Sequence, residues 1–186
     1  MTTNEMLELP KIELHCHLDG SLSKSFIQTR LGKAVSDEEL SVTQECKSLV
    51  EYLGKFNYSC ACLKDEEGLA EAGYDVLRTM SRENVIYAEI RFAPLLSVTK
   101  SMNTEQVIEA LLKGLKKGKE DFGIEYNVIA CAMRNHSEED NYQMIKTARN
   151  FLGEGVCESR LRKKRAVGRE RRHYMLMKYL SRKNSP

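Results

Sequence analysis

No apolar run in this chain approaches the roughly 20 residues that cross a bilayer, so a helical membrane span is excluded. The opening residues Met1 to Glu8 are polar and mildly acidic, without the basic patch and apolar stretch of a secretory leader. A cytoplasmic location is the expectation. The six cysteines, at positions 16, 46, 60, 62, 131 and 157, lack the rhythm of a disulfide scaffold, and reduced, mostly buried thiols follow. Cys60-Ala-Cys62 has no second pair beside it, which argues against a cysteine metal site. Histidine is scarce, with four in 186 residues, so any pair at regular spacing carries information. What remains, 41% apolar and 30% charged, is the composition of one globular domain with a real core.

The formal net charge of +2 conceals a division. Residues 1 to 156 hold 18 Lys and Arg against 25 Asp and Glu, whereas residues 157 to 186 hold 11 against 2. This places a domain boundary at Cys157: a domain over 1–156 and a basic tail over 157–186.

Hydrophobic patterning in the first part alternates strand and helix. Lys11 to His17 reads as a strand, Ser21 to Lys64 as broken helix with Leu49, Leu53 and Phe56 at helical spacing, and Asp65 to Arg82 as a helix. Asn84 to Ala93 is β-branched and aromatic and ends at Pro94. Asn103 and Gln106 form a capping pair for a helix to about Phe122, with Val107, Ile108, Leu111, Leu112 and Leu115 as its stripe. Ile124 to Met133 is the third strand, Ser137 starts a helix to about Leu152, and Val156 opens a fourth strand. This alternation predicts an α/β fold with a parallel sheet wrapped by helices. The competing architecture, a doubly wound open sheet, wants a glycine-rich phosphate turn after strand one, and none is present.

The densest motif is Pro10-Lys-Ile-Glu-Leu-His15-Cys-His17-Leu-Asp19-Gly-Ser21. Extended backbone points i, i+2 and i+4 the same way, so His15, His17 and Asp19 share a face and Leu14, Cys16 and Leu18 the other. Two imidazoles converging from one strand are half of a transition-metal site. Leu9 through Ser21 resembles the first strand of the adenosine deaminases, a branch of the metal-dependent amidohydrolases. Three further segments agree in order: Cys46 to Leu53 with Lys55-Phe56, Tyr87 to Pro94, and Cys131-Ala-Met-Arg134.

The resemblance implies an incomplete (β/α)8 TIM barrel, about the first three and a half β/α units, with chemistry at the carboxyl ends of its strands. It implies one zinc ion with His15 and His17 as ligands, and His17 and Asp19 lining a pocket for adenosine or deoxyadenosine. The parent activity would be hydrolytic deamination to inosine and ammonia. Relatives acting on the free base usually carry Glu where Asp19 stands, so a nucleoside is favoured over adenine or another aminopurine. In the deaminases the remaining His and Asp, the proton-donating Glu and a further His lie on strands five to eight. No catalytic residue of that set is therefore expected here, and the truncated chain is expected to be inactive.

Three other features need weighing. His136 follows the third strand and reads as an ordinary loop histidine. Arg91 and Arg134 sit on inner strands near Glu89, which predicts a structural ion pair. The tail clusters Arg162 to Arg165 and Arg169 to Arg172, with Tyr174 and Tyr179, allow a non-catalytic nucleic-acid-binding alternative. No nucleic-acid-binding fold signature accompanies them, so nucleic acid is not the expected partner. Resemblance, charge sign and strand pattern change together at one residue, and the expectation is a tail of unrelated, frameshifted sequence.

Overall fold

The computed structural model describes residues 8–42 and 46–161. Four parallel strands form one sheet in the order β1-β2-β3-β4: β1 (Lys11–His17), β2 (Val85–Phe92), β3 (Glu125–Ala132) and β4 (Val156–Leu161). Each strand lies beside its successor. That consecutive order is how a barrel winds, and it excludes the doubly wound alternative, whose order reverses at a switch point. β4 crosses the charge boundary at Cys157, with Glu158 to Leu161 paired to β3. The rest of the basic tail, with both arginine clusters, lies outside the described residues.

Between β1 and β2 run α1 (Lys24–Leu31), α2 (Asp37–Leu40), α3 (Leu49–Gly54), α4 (Asn57–Cys62) and α5 (Glu66–Ser81). α6 (Thr104–Phe122) joins β2 to β3, and α7 (Glu138–Ala148) joins β3 to β4. The starts follow from capping chemistry. Asp65 accepts the Gly68 N–H at 2.7 Å, Asn103 and Gln106 close a reciprocal capping box, and Ser137 accepts from Asp140. Gly32 and Gly123 end α1 and α6 in the left-handed region, at φ of 63° and 70°.

The helices cover one face of the sheet. Ala88, Ile90, Val128 and Ala130 of that face are fully buried against Leu69, Val76 and Leu77 of α5 and the Val107, Ile108, Leu111 and Leu115 stripe of α6. Leu112, expected in that stripe, is only partly buried at its edge. α5 and α6 approach closely because Gly114 has no side chain: a Cβ there would fall 1.8 Å from the Ala70 carbonyl oxygen. The short helices behave differently. Leu49 and Leu53 are exposed, 70% and 53%, because α3 is only six residues long and reaches the body mainly through the segment that follows it.

Candidate functional site

The opposite face of the sheet carries His15 and His17 of β1, Tyr87, Glu89 and Arg91 of β2, and Asn127, Ile129 and Cys131 of β3. Strand alternation sorts the residues of β2 and β3, since the intervening Ala88, Ile90, Val128 and Ala130 are buried under the helices, and in β1 the register shifts between Glu13 and Cys16 before Cys16 pairs with Ile90 and His17 with Arg91. Polar groups on this face are tied in rows. The Tyr87 hydroxyl donates to Glu89 Oε1 at 3.2 Å and accepts from Asn127 Nδ2 at 2.9 Å, and burial pushes its acidity down.

At the carboxyl ends, the His15 and His17 ring centres stand 5.3 Å apart, tilted by 47°. The chain then turns. Gly20 N–H donates to the His17 carbonyl at 3.2 Å, Ser21 N–H donates to Leu18, and the Leu18 N–H donates to the Arg91 carbonyl at 3.0 Å, pinning the turn to β2. Asp19 thereby comes beside His17, with Oδ1 4.0 Å from Nδ1. Its charge also reaches Cys60 of α4, whose thiol is held up chiefly by burial and further by Asp19. Phe56 closes against the turn: a Cβ on Gly20 would lie 3.2 Å from its ring. The Cys16 thiol, beneath the histidines, bonds Ser21 Oγ at 3.2 Å, and its burial raises it above the ordinary thiol value.

Two imidazoles on one tetrahedral zinc, each about 2.0–2.1 Å from the ion, have ring centres roughly 5 Å apart. The 5.3 Å pair fits that half of a ligand set. Among the described residues no third His, Cys, Asp or Glu joins them in a cluster. His15 meets instead a cation: Arg91 Nη1 lies 2.7 Å from Nε2 and 3.4 Å from Nδ1.

This corrects the expected Glu89–Arg91 ion pair. Arg91 is 4% exposed and turns across the strands, donating to His15 on one side and to Cys131 Sγ at 3.3 Å on the other. Glu89 lies one pleat further down the same strand, engaged with Tyr87. Arg134 is exposed beyond the end of β3. His136 belongs to the turn before α7, its carbonyl accepting from Asn141 and its Nε2 buried without a hydrogen bond. The arginine contact had a trace in the sequence, because Arg91 sits at the i+2 and i+4 positions from Glu89 and Tyr87, but the cross-strand register that brings it to His15 did not. A groove of about 820 Å³ between α1, α5 and α6, lined by Phe26, Tyr74, Asp75 and Lys117, is on the helical side and involves none of these groups.

The family model described as adenosine deaminase matches residues 10–173. The adenosine deaminase of Clostridium perfringens is 39% identical over 164 residues, covering 81% of this chain and 48% of that one. Arabidopsis N6-mAMP deaminase is similar in structure, with a TM-score of 0.69 and 27% identity over 84% of this chain and 51% of that one. A Burkholderia ambifaria amidohydrolase solved with bound Zn has a TM-score of 0.70 at 19% identity, covering 86% and 46%, and shares the fold. The chain thus spans about half the length of the curated relatives it matches.

Proposed function

This chain belongs to the adenosine deaminase family, and from that premise we propose that it contributes the first half of a zinc-dependent site for the hydrolytic deamination of adenosine or deoxyadenosine. The observation that carries the reading is the pair of imidazoles, 5.3 Å apart at the carboxyl end of β1, with the Asp19 carboxylate beside them. His15 and His17 are two of the ligands. A bound zinc would supply the acidification of water, towards a pKa of about 7, that attack on the amine-bearing carbon requires.

The chain's own residues do the rest of what this half can do. Asp19 accepts a hydrogen bond from the sugar side of the nucleoside, and His17 lines the same pocket. A fixed negative charge there disfavours a 5′-phosphate, so a nucleoside is preferred over the nucleotide that the Arabidopsis relative's name specifies. Gly20 allows Phe56 to close on the turn and exclude water from that side. The remaining ligands and the proton donor come from strands beyond those described. Among the described residues no third ligand joins the two histidines, and this reading predicts that the 186-residue chain by itself releases no ammonia from adenosine. Cys16, Cys46, Cys60, Cys62 and Cys131 are free thiols, which supports a reducing, cytoplasmic setting.

The test is a chimera in which the carboxyl-terminal half of the Clostridium perfringens relative continues from β4. Ammonia release should be fastest from adenosine, slower from adenosine monophosphate and from adenine, and lost by at least about a hundredfold on Asp19→Ala, as expected for a charge-assisted contact in a desolvated site. Preference for the monophosphate, or indifference to Asp19→Ala, would refute the assignment of substrate and carboxylate.

A further inference from the structure

Residues that pair across a sheet share a face, and β1 changes face partway along. Ile12 pairs with Tyr87 on the inner face, and Glu13 with Ala88 on the face under the helices. Strict alternation from there would send Leu14 and Cys16 inward and carry His15 and His17 beneath the helical layer. The opposite is seen. Cys16 pairs with Ile90 and is 6% exposed, and His17 pairs with Arg91 on the inner face. Between Glu13 and Cys16 the strand takes one residue more than β2 takes between Ala88 and Ile90, so Leu14 and His15 share the place opposite Glu89. One inserted residue reverses the facing of everything after it.

An inserted residue takes its backbone groups off the ladder, and they need another partner. Here the His15 N–H donates to Glu13 Oε1 at 2.8 Å, two residues back along the same strand. We propose that Glu13 is a positioning residue of the metal half-site: its carboxylate closes the bulge on the His15 amide and so aims the His15 ring at the inner face, beside His17. The inference rests on the reading of His15 and His17 as ligands. Beyond the bulge the strand is fixed by burial, because Cys16 and the fully buried Leu18 hold it against the helices. Glu13 settles the residue before them, whose ring must stand 5.3 Å from that of His17. It acts through His15 and takes no part in the chemistry.

The experiment uses the full 186-residue chain, ¹⁵N-labelled, with zinc chloride as the probe and the His15 amide and both imidazoles read by NMR. In wild type the His15 amide proton should be protected from solvent exchange, and the His15 ring should show nuclear Overhauser contacts to the Arg91 side chain. Glu13→Gln retains an acceptor oxygen and should keep both signals, with His15 and His17 half-shifted at one zinc concentration. Glu13→Ala should lose both signals, and the zinc concentration that half-shifts His15 should rise about tenfold, the change expected from one charge-assisted hydrogen bond. Asp75→Ala weakens the fold elsewhere, at Ser23, and should leave that midpoint within about twofold of wild type. A His15 amide that exchanges freely in the wild-type chain would overturn the proposal before any variant is made. So would a Glu13→Ala chain with wild-type contacts and midpoint. Equal losses in Glu13→Ala and Asp75→Ala would assign the effect to stability alone, and a Glu13→Gln chain behaving as Glu13→Ala would refute the hydrogen bond. If zinc shifts neither ring in any of these proteins while the Arg91 contacts follow the expected order, the ligand reading falls and the aiming of His15 by Glu13 stands.

Discussion

His15 and His17 meet because a strand repeats every two residues, and Asp19 joins them because the turn at Gly20 carries the same face onward. Gly20 is the hinge of that arrangement: an added Cβ at 3.2 Å from the Phe56 ring forces the ring outward. We expect Gly20→Ala to cost about 1 kcal/mol in urea unfolding and to expose Phe56 to solvent, measurable as a downfield loss of ring-current shifts around the turn. Cys16 gives a pH prediction. Burial raises its folded-state pKa above 9.0, so the unfolded chain loses this proton first. The stabilisation is complete below pH 9 and declines as pH climbs towards the folded value. Cys60, Cys62, Tyr87 and Tyr126 shift the same way through burial. Urea midpoints should therefore fall between pH 8 and 10, and Cys16→Ala should make that fall shallower without abolishing it.

At the scale of elements, two contacts hold the helical layer to the sheet's first crossover. Asp75 of α5 is 3% exposed and accepts from the Ser23 N–H and hydroxyl, both at 2.8 Å, and from Arg78 at 2.5 Å. It fixes the N-cap of α1 from outside that helix. Asp75→Ala leaves three donors unsatisfied, and a loss of about 2–3 kcal/mol in chemical denaturation is expected. Gly114→Ala is the harsher change. Its Cβ would meet Ala70 backbone rather than a movable side chain, so α5 and α6 must separate, and a loss of about 3 kcal/mol or failure to fold is the expected outcome.

These elements also mark what was readable beforehand. The strand and helix periods, the Asn103–Gln106 box and the apolar stripe of α6 are local, and each appears where the pattern put it except Leu112, which lies at the stripe's partly buried edge. The shared face of His15, His17 and Asp19 is local too. The contact between Arg91 and His15 depends on strand register and on which way a long side chain leans across the sheet, and neither is written in a single segment. The stripe at Leu49 and Leu53 had helical spacing, but spacing does not say whether a six-residue helix has anything to pack against.

For the molecule as a whole, β1 is the outermost strand at one side of the described sheet, and β4 at the other. Ile12 and Leu14 of this outermost strand are 61% and 58% exposed. An apolar edge of that kind promotes association. Sedimentation velocity of the 186-residue chain should show concentration-dependent self-association, reduced in an Ile12→Lys, Leu14→Lys double variant. A monodisperse wild type would show that this flank is covered. The polar inner face fits the same picture: Tyr87, Glu89, Arg91 and Asn127 are arranged to face further side chains across a barrel interior.

The most direct test of the central claim, that β1 carries two ligands of one metal ion, is zinc X-ray absorption on the chimera that completes the barrel. The account predicts about one zinc per chain with imidazole nitrogens at about 2.0–2.1 Å, and loss of that zinc in both His15→Ala and His17→Ala. A folded chimera that keeps its zinc and its ligand shell after either substitution would contradict it.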